Sequence, residues 1–307
     1  MQIDEITYHS GTILEYNKTP FWEESGYNCE KRKVGIITKF IDLTKTILEI
    51  GPSYNPILDH MLKNVYAADV LTKQQIAINY KIQVGDKYIP ETNFLLSEEN
   101  DFDFYKCIGD DIKFDYIVSS HNFEHFPNFI KSLNSLENIL SEEGKIIAFI
   151  PDSRFEFDEY RNVTSISKLI SDFHNNKKAP SFLEFLECNT YVNFDETTVD
   201  IWTKYINTSN IPFKDYLNER KTTEYNTVKI SNNCDRTEID KLYKKYTENN
   251  YLDCHVNVFT PKSFTTIMNT LYKLNYTSLR IIEIHSTKRN NNEFAVILKK
   301  SKKEGAF

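Results

Sequence analysis

Glycine is what this sequence has least of. Of its 307 residues only 8 are glycine, where the usual share of roughly 7% would give about twenty. None falls between Gly144 and Gly305, so the second half must turn on Asn, Asp and Pro. Collagen-like and elastic chains are thereby excluded. Cysteine is also sparse. Cys29, Cys107, Cys188, Cys234 and Cys254 are scattered and odd in number, with no C-x-x-C pair. That speaks against a disulfide framework or a zinc ribbon and for a reduced, cytoplasmic setting. A basic stripe is missing as well: 37 Lys+Arg stand against 44 Asp+Glu, a net charge of −7. Nucleic acid is therefore not an expected partner. The short runs Lys31-Arg32-Lys33 and Lys299-Lys300-Ser301-Lys302-Lys303 read as solvated ends. The N-terminus has no basic-then-apolar signal pattern. No apolar run reaches the roughly 18 residues of a membrane span.

What is present is ample apolar mass. Hydrophobic residues make 40%, with 21 Phe and 19 Tyr, enough for a real core and too much for a disordered chain. The length suits one large domain with an insertion, or two of about 150 residues. Residues 1–33 have no clean period and read as an N-terminal arm or cap. Ile36, Ile37 and Phe40 predict a short helix over 34–40. Residues 46–50, 65–69, 114–119 and 146–150 read as buried strands. A helix is expected from Pro56, a turn at 142–145, and a helix over 128–140 from the spacing of Ile130, Leu133, Leu136 and Leu140. Short apolar strands alternating with helices predict an α/β fold, a mostly parallel sheet with helices on both faces. The core spans 34–151. Residues 152–254 are polar, lack repeating strands and read as a largely helical inserted substrate subdomain. Residues 255–303 complete the core: Thr260-Pro261 starts a helix, and 279–284 with 294–298 form an antiparallel hairpin.

Ligands of such sheets bind beyond the carboxyl ends of the strands. The first buried strand ends in Glu49-Ile50-Gly51-Pro52-Ser53, where Gly51 permits a sharp turn and close approach. The second ends eighteen residues later at Asp69, an acid able to accept both hydroxyls of a ribose. A nicotinamide cofactor would want G-x-G-x-x-G for its pyrophosphate; here Ser, Tyr and Asn replace the later glycines. A ligand with a ribose and no pyrophosphate fits better.

This order of motifs resembles the class I S-adenosylmethionine-dependent methyltransferases over residues 34–151 and again over 256–300. The resemblance implies a Rossmann-like methyltransferase sheet with an antiparallel last strand. It implies that Glu49, Gly51, Pro52 and Ser53 wrap the methionine end of S-adenosylmethionine and that Asp69 binds the ribose. It also implies that Asp111, after Gly109-Asp110, reaches the adenine amine, and that Ser120 and His121 lie beside the sulfonium. E-I-G-P-x-x-N-P, S-S-H-N-F-E-H, I-P-D-S-R-F-x-F-D and D-C-H-V-N-V-F-T-P-K-S-F together resemble methyltransferases of bacterial capsule and lipopolysaccharide clusters. The implied acceptor is a sugar hydroxyl or phosphoryl-type oxygen on a nucleotide-linked or glycan precursor.

Methyl transfer from a sulfonium is an in-line displacement needing an aligned acceptor and, for an alcohol, a place for its proton. His121, Glu124 and His125 stand at i, i+3 and i+4; Asp152 and Arg154 follow one strand, and Asp253 and His255 precede the last helix. Three readings are open. His125 or His255 is a general base oriented by Asp152 or Asp253. Alternatively, His121, Glu124, His125, Asp152 and His255 supply ligands to a divalent metal such as iron, manganese or zinc. In the third, the groups are structural. Arg154 and Arg161, with Lys168, are candidates for a substrate phosphate. His174, Trp22 and Trp202 read as surface or packing residues, and His9, His60 and His285 carry no functional reading. Two rival functions share these features: an NAD-dependent nucleotide-sugar oxidoreductase and a non-catalytic assembly subunit of the same fold.

Overall fold

The apolar runs become strands of one sheet. The structure, a computed structural model, describes residues 7–9, 31–82, 89–192, 197, 198, 200, 201, 203, 235–249, 252–288 and 291–301. The strands are β1 (Thr7–His9), β2 (Ile47–Ile50), β3 (Val65–Asp69), β4 (Phe94–Leu95), β5 (Phe114–Ser120), β6 (Leu140–Pro151), β7 (Leu279–His285) and β8 (Glu293–Lys300). Their order is β1-β7-β8-β6-β5-β2-β3-β4. Strands β2 to β6 pair in parallel, β8 runs antiparallel to both β6 and β7, and β1 joins β7 in parallel. The sheet is Rossmann-like, mostly parallel with an antiparallel last strand.

The helices are α1 (Lys31–Phe40), α2 (Lys73–Asn79), α3 (Phe104–Ile108), α4 (Phe129–Ile139), α5 (Ile166–His174), α6 (Phe182–Thr190), α7 (Arg236–Thr247) and α8 (Pro261–Lys273). Strand side chains alternate between faces, and the two halves of the core follow. Ile146, Ala148 and Ile150 pack with Leu133, Leu136, Phe264 and Leu271 of α4 and α8. Ile147 and Phe149 pack with Ile36 and Ile37 of α1 and with Ile57 and Leu58.

Several expectations change. Helix α1 starts at Lys31, so the basic run belongs to a helix and Lys33 is largely buried, 11% exposed at its side chain. No helix follows Pro56. Glu49 alternates onto the α1 face at the end of β2, and its carboxylate takes the Ile57 and Leu58 N–H groups, holding that segment in turns. The turn expected at 142–145 is part of β6, where a Cβ on Gly144 would lie 2.8 Å from Leu140 Cδ1. Strand β4 and helices α2 and α3 were too short to leave a periodic signal.

The insertion does not separate cleanly at residue 152. Ser153 N donates to Phe259 O at 2.9 Å and Thr164 N to Val258 O at 2.9 Å. Leu169 of α5 lies in the main core. A second, smaller cluster forms only beyond it, from Phe185, Leu242, Cys254 and Val256 between α6 and α7. Most of 193–234, Trp22, Trp202, Cys29, Cys234 and most of the arm 1–33 lie outside the described residues. Among the described residues no helix is long and apolar enough to cross a membrane.

Candidate functional site

The ends of β2, β3 and β5 lie side by side because the strands pair in parallel and in register, Ile50 opposite both Ala68 and Ser119. Gly51 turns the chain at φ +59, and a Cβ there would fall 2.0 Å from Asn122 Oδ1. Asn122 Nδ2 donates to Ile50 O at 2.9 Å and to Ser120 O at 2.8 Å, tying the two strand ends together over the glycine. Ser53 and His121 also take left-handed backbone, φ +47 and +55. Such strain in non-glycine residues persists only where the surroundings hold it.

Asp69 is 7% exposed. One of its oxygens accepts Ser53 N at 3.2 Å and the other Leu71 N at 3.1 Å. Burial pushes its pKa up against these N–H contacts. A carboxylate offers about four lone-pair positions, so this one keeps capacity for further donors. Glu49 is committed elsewhere: Ile57 N at 2.7 Å, Leu58 N at 3.1 Å and His60 Nε2 at 2.7 Å surround it. Its place is inside the loop, shaping the turn. Glu49→Gln is expected to destabilise the protein by about 1–3 kcal/mol in urea unfolding, since a buried charged acceptor is lost. Unchanged stability would mean the carboxylate does not hold the loop.

Asp111 is misplaced by the sequence reading. It is exposed and precedes the first residue of β5, at the amino end of the parallel strands and away from Gly51 and Asp69. The segment that does follow a strand at the correct end is Leu96 to Asn100, where Leu96 N donates to Asp69 O at 2.9 Å. A cleft of about 900 Å³ also lies on the amino-end side, around Glu137. There Glu137 already accepts Thr277 Oγ1 and Ser278 N, so that cleft is built on a satisfied acid.

At the end of β5, Lys33 Nζ lies 3.0 Å from both Ser120 Oγ and Glu293 Oε2. His121 Nε2 meets the same Glu293 oxygen at 3.0 Å. Burial works against charge on Glu293, but His121 and Lys33 outweigh it and hold its pKa down.

Beside these groups Glu124, His125 and His255 converge. Glu124 O accepts Val256 N at 2.8 Å and Asn257 N at 2.9 Å, which fixes the strand-like run before α8 against the turn after β5. The Glu124 carboxylate is 1% exposed, and neither of its oxygens has a hydrogen-bond partner. His125 Nε2 lies 3.7 Å and His255 Nε2 3.8 Å from Glu124 Oε1. Each ring is held from behind, His125 Nδ1 by Asp253 Oδ1 at 2.9 Å and His255 Nδ1 by Asp158 Oδ2 at 2.5 Å. Burial lowers the His125 pKa, but the Asp253 contact and the Glu124 charge raise it to about 9. The His255 pKa is raised in the same way, Asp158 overcoming burial. Glu156, buried beside Asp158, has its pKa pushed well up by burial and by that neighbouring carboxylate.

Asp152 does not join this cluster. It is fully buried and paired to Arg154 at 2.6 Å, with Thr287 Oγ1 donating to it at 2.6 Å. Arg154 and Arg161 face inward as well: Arg161 Nη1 donates to Asp158 at 2.8 Å. Lys168 is bound to Asp172 at 2.8 Å and Glu184 at 2.7 Å. The cations expected to grip phosphate are thus spent within the protein. His174 is exposed on Tyr276 OH at 2.9 Å. The residues that sequence reasoning passed over are Asp158, Lys33, Asn122 and Glu293. Asp158 closes the I-P-D-S-R-F-x-F-D motif, and Glu293 is an acid heading an apolar strand; both were visible signals.

No family model matches the chain, and no curated protein matches it. Solved structures resemble it. The CcbJ methyltransferase from Streptomyces caelestis is 8% identical with a TM-score of 0.41, over 91% of this chain and 92% of that one. A S-adenosylmethionine-dependent methyltransferase from Clostridium acetobutylicum ATCC 824 is 10% identical at 0.42, over 92% and 97%. A candidate Zn-dependent alcohol dehydrogenase from Rhodobacter sphaeroides is 11% identical at 0.45, over 92% and 96%. At these scores the likenesses say nothing of activity. The strand order stands on this chain's own hydrogen bonds.

Proposed function

We propose that the chain transfers the methyl group of S-adenosylmethionine to an oxygen of a bacterial surface-glycan precursor. The observation that carries the cofactor is the pairing of the Gly51 turn with Asp69 at the ends of adjacent parallel strands, without a pyrophosphate-binding glycine loop. Asp69 keeps acceptor capacity for the ribose hydroxyls. The run after β4, with Ser97 and Glu98, takes the adenine-side position first given to Asp111. Lys33 and Glu293, an ion pair at 3.0 Å beside Ser120, match the zwitterionic methionine end. S-adenosylmethionine supplies an electrophilic methyl group on a sulfonium.

The acceptor oxygen approaches over Glu124, His125 and His255. The methyl carbon would bond to that oxygen as its bond to sulfur broke, leaving the electron pair on sulfur, and the hydroxyl proton would pass to the Glu124 carboxylate, whose oxygens have no hydrogen-bond partner. The glycan class of the acceptor rests on the motif resemblance, a nucleotide-linked sugar or related precursor being its expected form.

Calorimetry with S-adenosylhomocysteine tests the reading. The protein is expected to bind it, and Asp69→Ala to weaken binding at least tenfold while circular dichroism stays unchanged. Stabilisation by NAD with none by S-adenosylhomocysteine would replace this function with the oxidoreductase. Unchanged affinity in Asp69→Ala would remove Asp69 from the cofactor site.

A further inference from the structure

We infer that Glu124, His125 and His255 form a binding site for one divalent transition-metal ion, which holds the acceptor oxygen of the proposed methyl transfer. The inference rests on that reading only for the ion's role; the site itself stands on geometry.

The first observation is the orphaned carboxylate. A buried carboxylate without a hydrogen-bond partner is costly. Glu124 is 1% exposed with neither oxygen hydrogen-bonded, although the imidazoles of His121, His125 and His255 lie just beyond hydrogen-bond reach. The ligand atoms of the three residues fall within 4.8 Å of one another. An ion at roughly 2.0–2.2 Å from each ligand needs them about 3–3.5 Å apart, so side-chain turns that bring the most distant pair together by about an ångström close the shell.

The second observation is the support behind the ligands. Both histidines are gripped at Nδ1 by a carboxylate, Asp253 and Asp158, which leaves each Nε2 turned toward Glu124. Carboxylate–histidine pairs of this kind set the tautomer and ring direction of metal ligands. The rings stand nearly perpendicular, 88° with centroids 4.8 Å apart, as separate vertices of one coordination shell require.

Two nitrogens and one carboxylate oxygen suit iron(II), manganese(II), cobalt(II) or zinc(II), and leave positions open for oxygen ligands. Two nearby groups fall outside this set. His121 Nδ1 also lies 3.8 Å from Glu124 Oε1, with Nε2 on Glu293, but His121 is not among the residues whose ligand atoms all fall within 4.8 Å of one another. Asp152 is held by Arg154. The neighbouring trio Glu156, Asp158 and His255 would need the His255 nitrogen that Asp158 already occupies at 2.5 Å. The five-residue set that the spacing suggested therefore narrows to three.

Cobalt(II) titration of chelator-treated full-length protein tests this by calorimetry and visible absorption. The expected result is one equivalent bound, with d–d bands that mark nitrogen ligation. Glu124→Gln is expected to lose at least 100-fold in affinity. Asp253→Asn, altering an exposed positioning residue, is expected to lose about 10–100-fold with the fold intact. Absence of stoichiometric binding, or equal affinity in Glu124→Gln, would each overturn the site. S-adenosylhomocysteine affinity, measured on the same chelated protein, separates the two claims. Retained affinity without cobalt binding removes the metal alone, and cobalt binding without that affinity removes the methyltransferase reading alone.

Discussion

Gly51→Ala is expected to abolish S-adenosylhomocysteine binding and to lower stability by about 2–5 kcal/mol. The estimate adds the left-handed backbone penalty of an L-residue to the strain of overpacking. The two contributions have separate origins. The backbone sits at φ +59, and the new methyl would meet Asn122 Oδ1 at 2.0 Å. Asn122 would have to leave Ile50 O and Ser120 O, which it bridges at 2.9 and 2.8 Å, and the ends of β2 and β5 would lose their tie. Urea unfolding and calorimetry measure both effects. Adding Asn122→Ala should relieve the clash and leave the backbone penalty, so the double variant recovers only part of the stability. A Gly51→Ala protein with parental stability and affinity would show that the turn is adaptable and is no cofactor cradle.

Arg154→Ala is expected to destabilise by about 3–5 kcal/mol at neutral pH, the range for breaking a buried ion pair from one side. Asp152 is 0% exposed and Arg154 8%. Burial alone would raise the Asp152 pKa, but Arg154, with help from Thr287, holds it below the usual carboxylate range. A depressed folded pKa contributes stability that is present above the unfolded value, about 3.9, and is lost as pH falls through the folded one. Without Arg154, burial is left to raise that pKa. The variant's penalty is then present above the raised folded pKa and shrinks as pH falls toward the unfolded one. Urea unfolding at pH 7.5 and pH 4 should therefore show the gap between parent and variant narrowing in acid. If Arg154→Ala kept its stability and raised only the KM for a phosphorylated acceptor, the residue would belong to the substrate after all.

Much of the sheet was legible because buried parallel strands leave continuous apolar runs. Val65–Asp69 was found at its true bounds, and the last helix starts at Pro261 as its Thr-Pro signal required. The missing helix after Pro56 was not legible. Its absence depends on a carboxylate eight residues back meeting the Ile57 and Leu58 amides, a pairing that local propensity does not encode. Asp111 failed for a related reason: residue spacing carries no record of which end of a strand a loop joins.

The candidate site divides the same way. Gly51, Asp69, Glu124, His125 and His255 were nameable from residue type and strand-end position, because a sharp turn needs glycine and polar groups at strand ends need a purpose. Which of the acids would be spent was a matter of tertiary contact alone. Asp152 and Asp158 belong to one short motif, yet the first is closed off by Arg154 and the second stands behind His255. The scarce glycines show the limit most simply. The sequence by itself determined that Gly51 must turn the chain, since the following residues leave few alternatives. Only the folded structure decided that no side chain fits there, because the obstruction is Asn122, brought over the turn from the end of another strand.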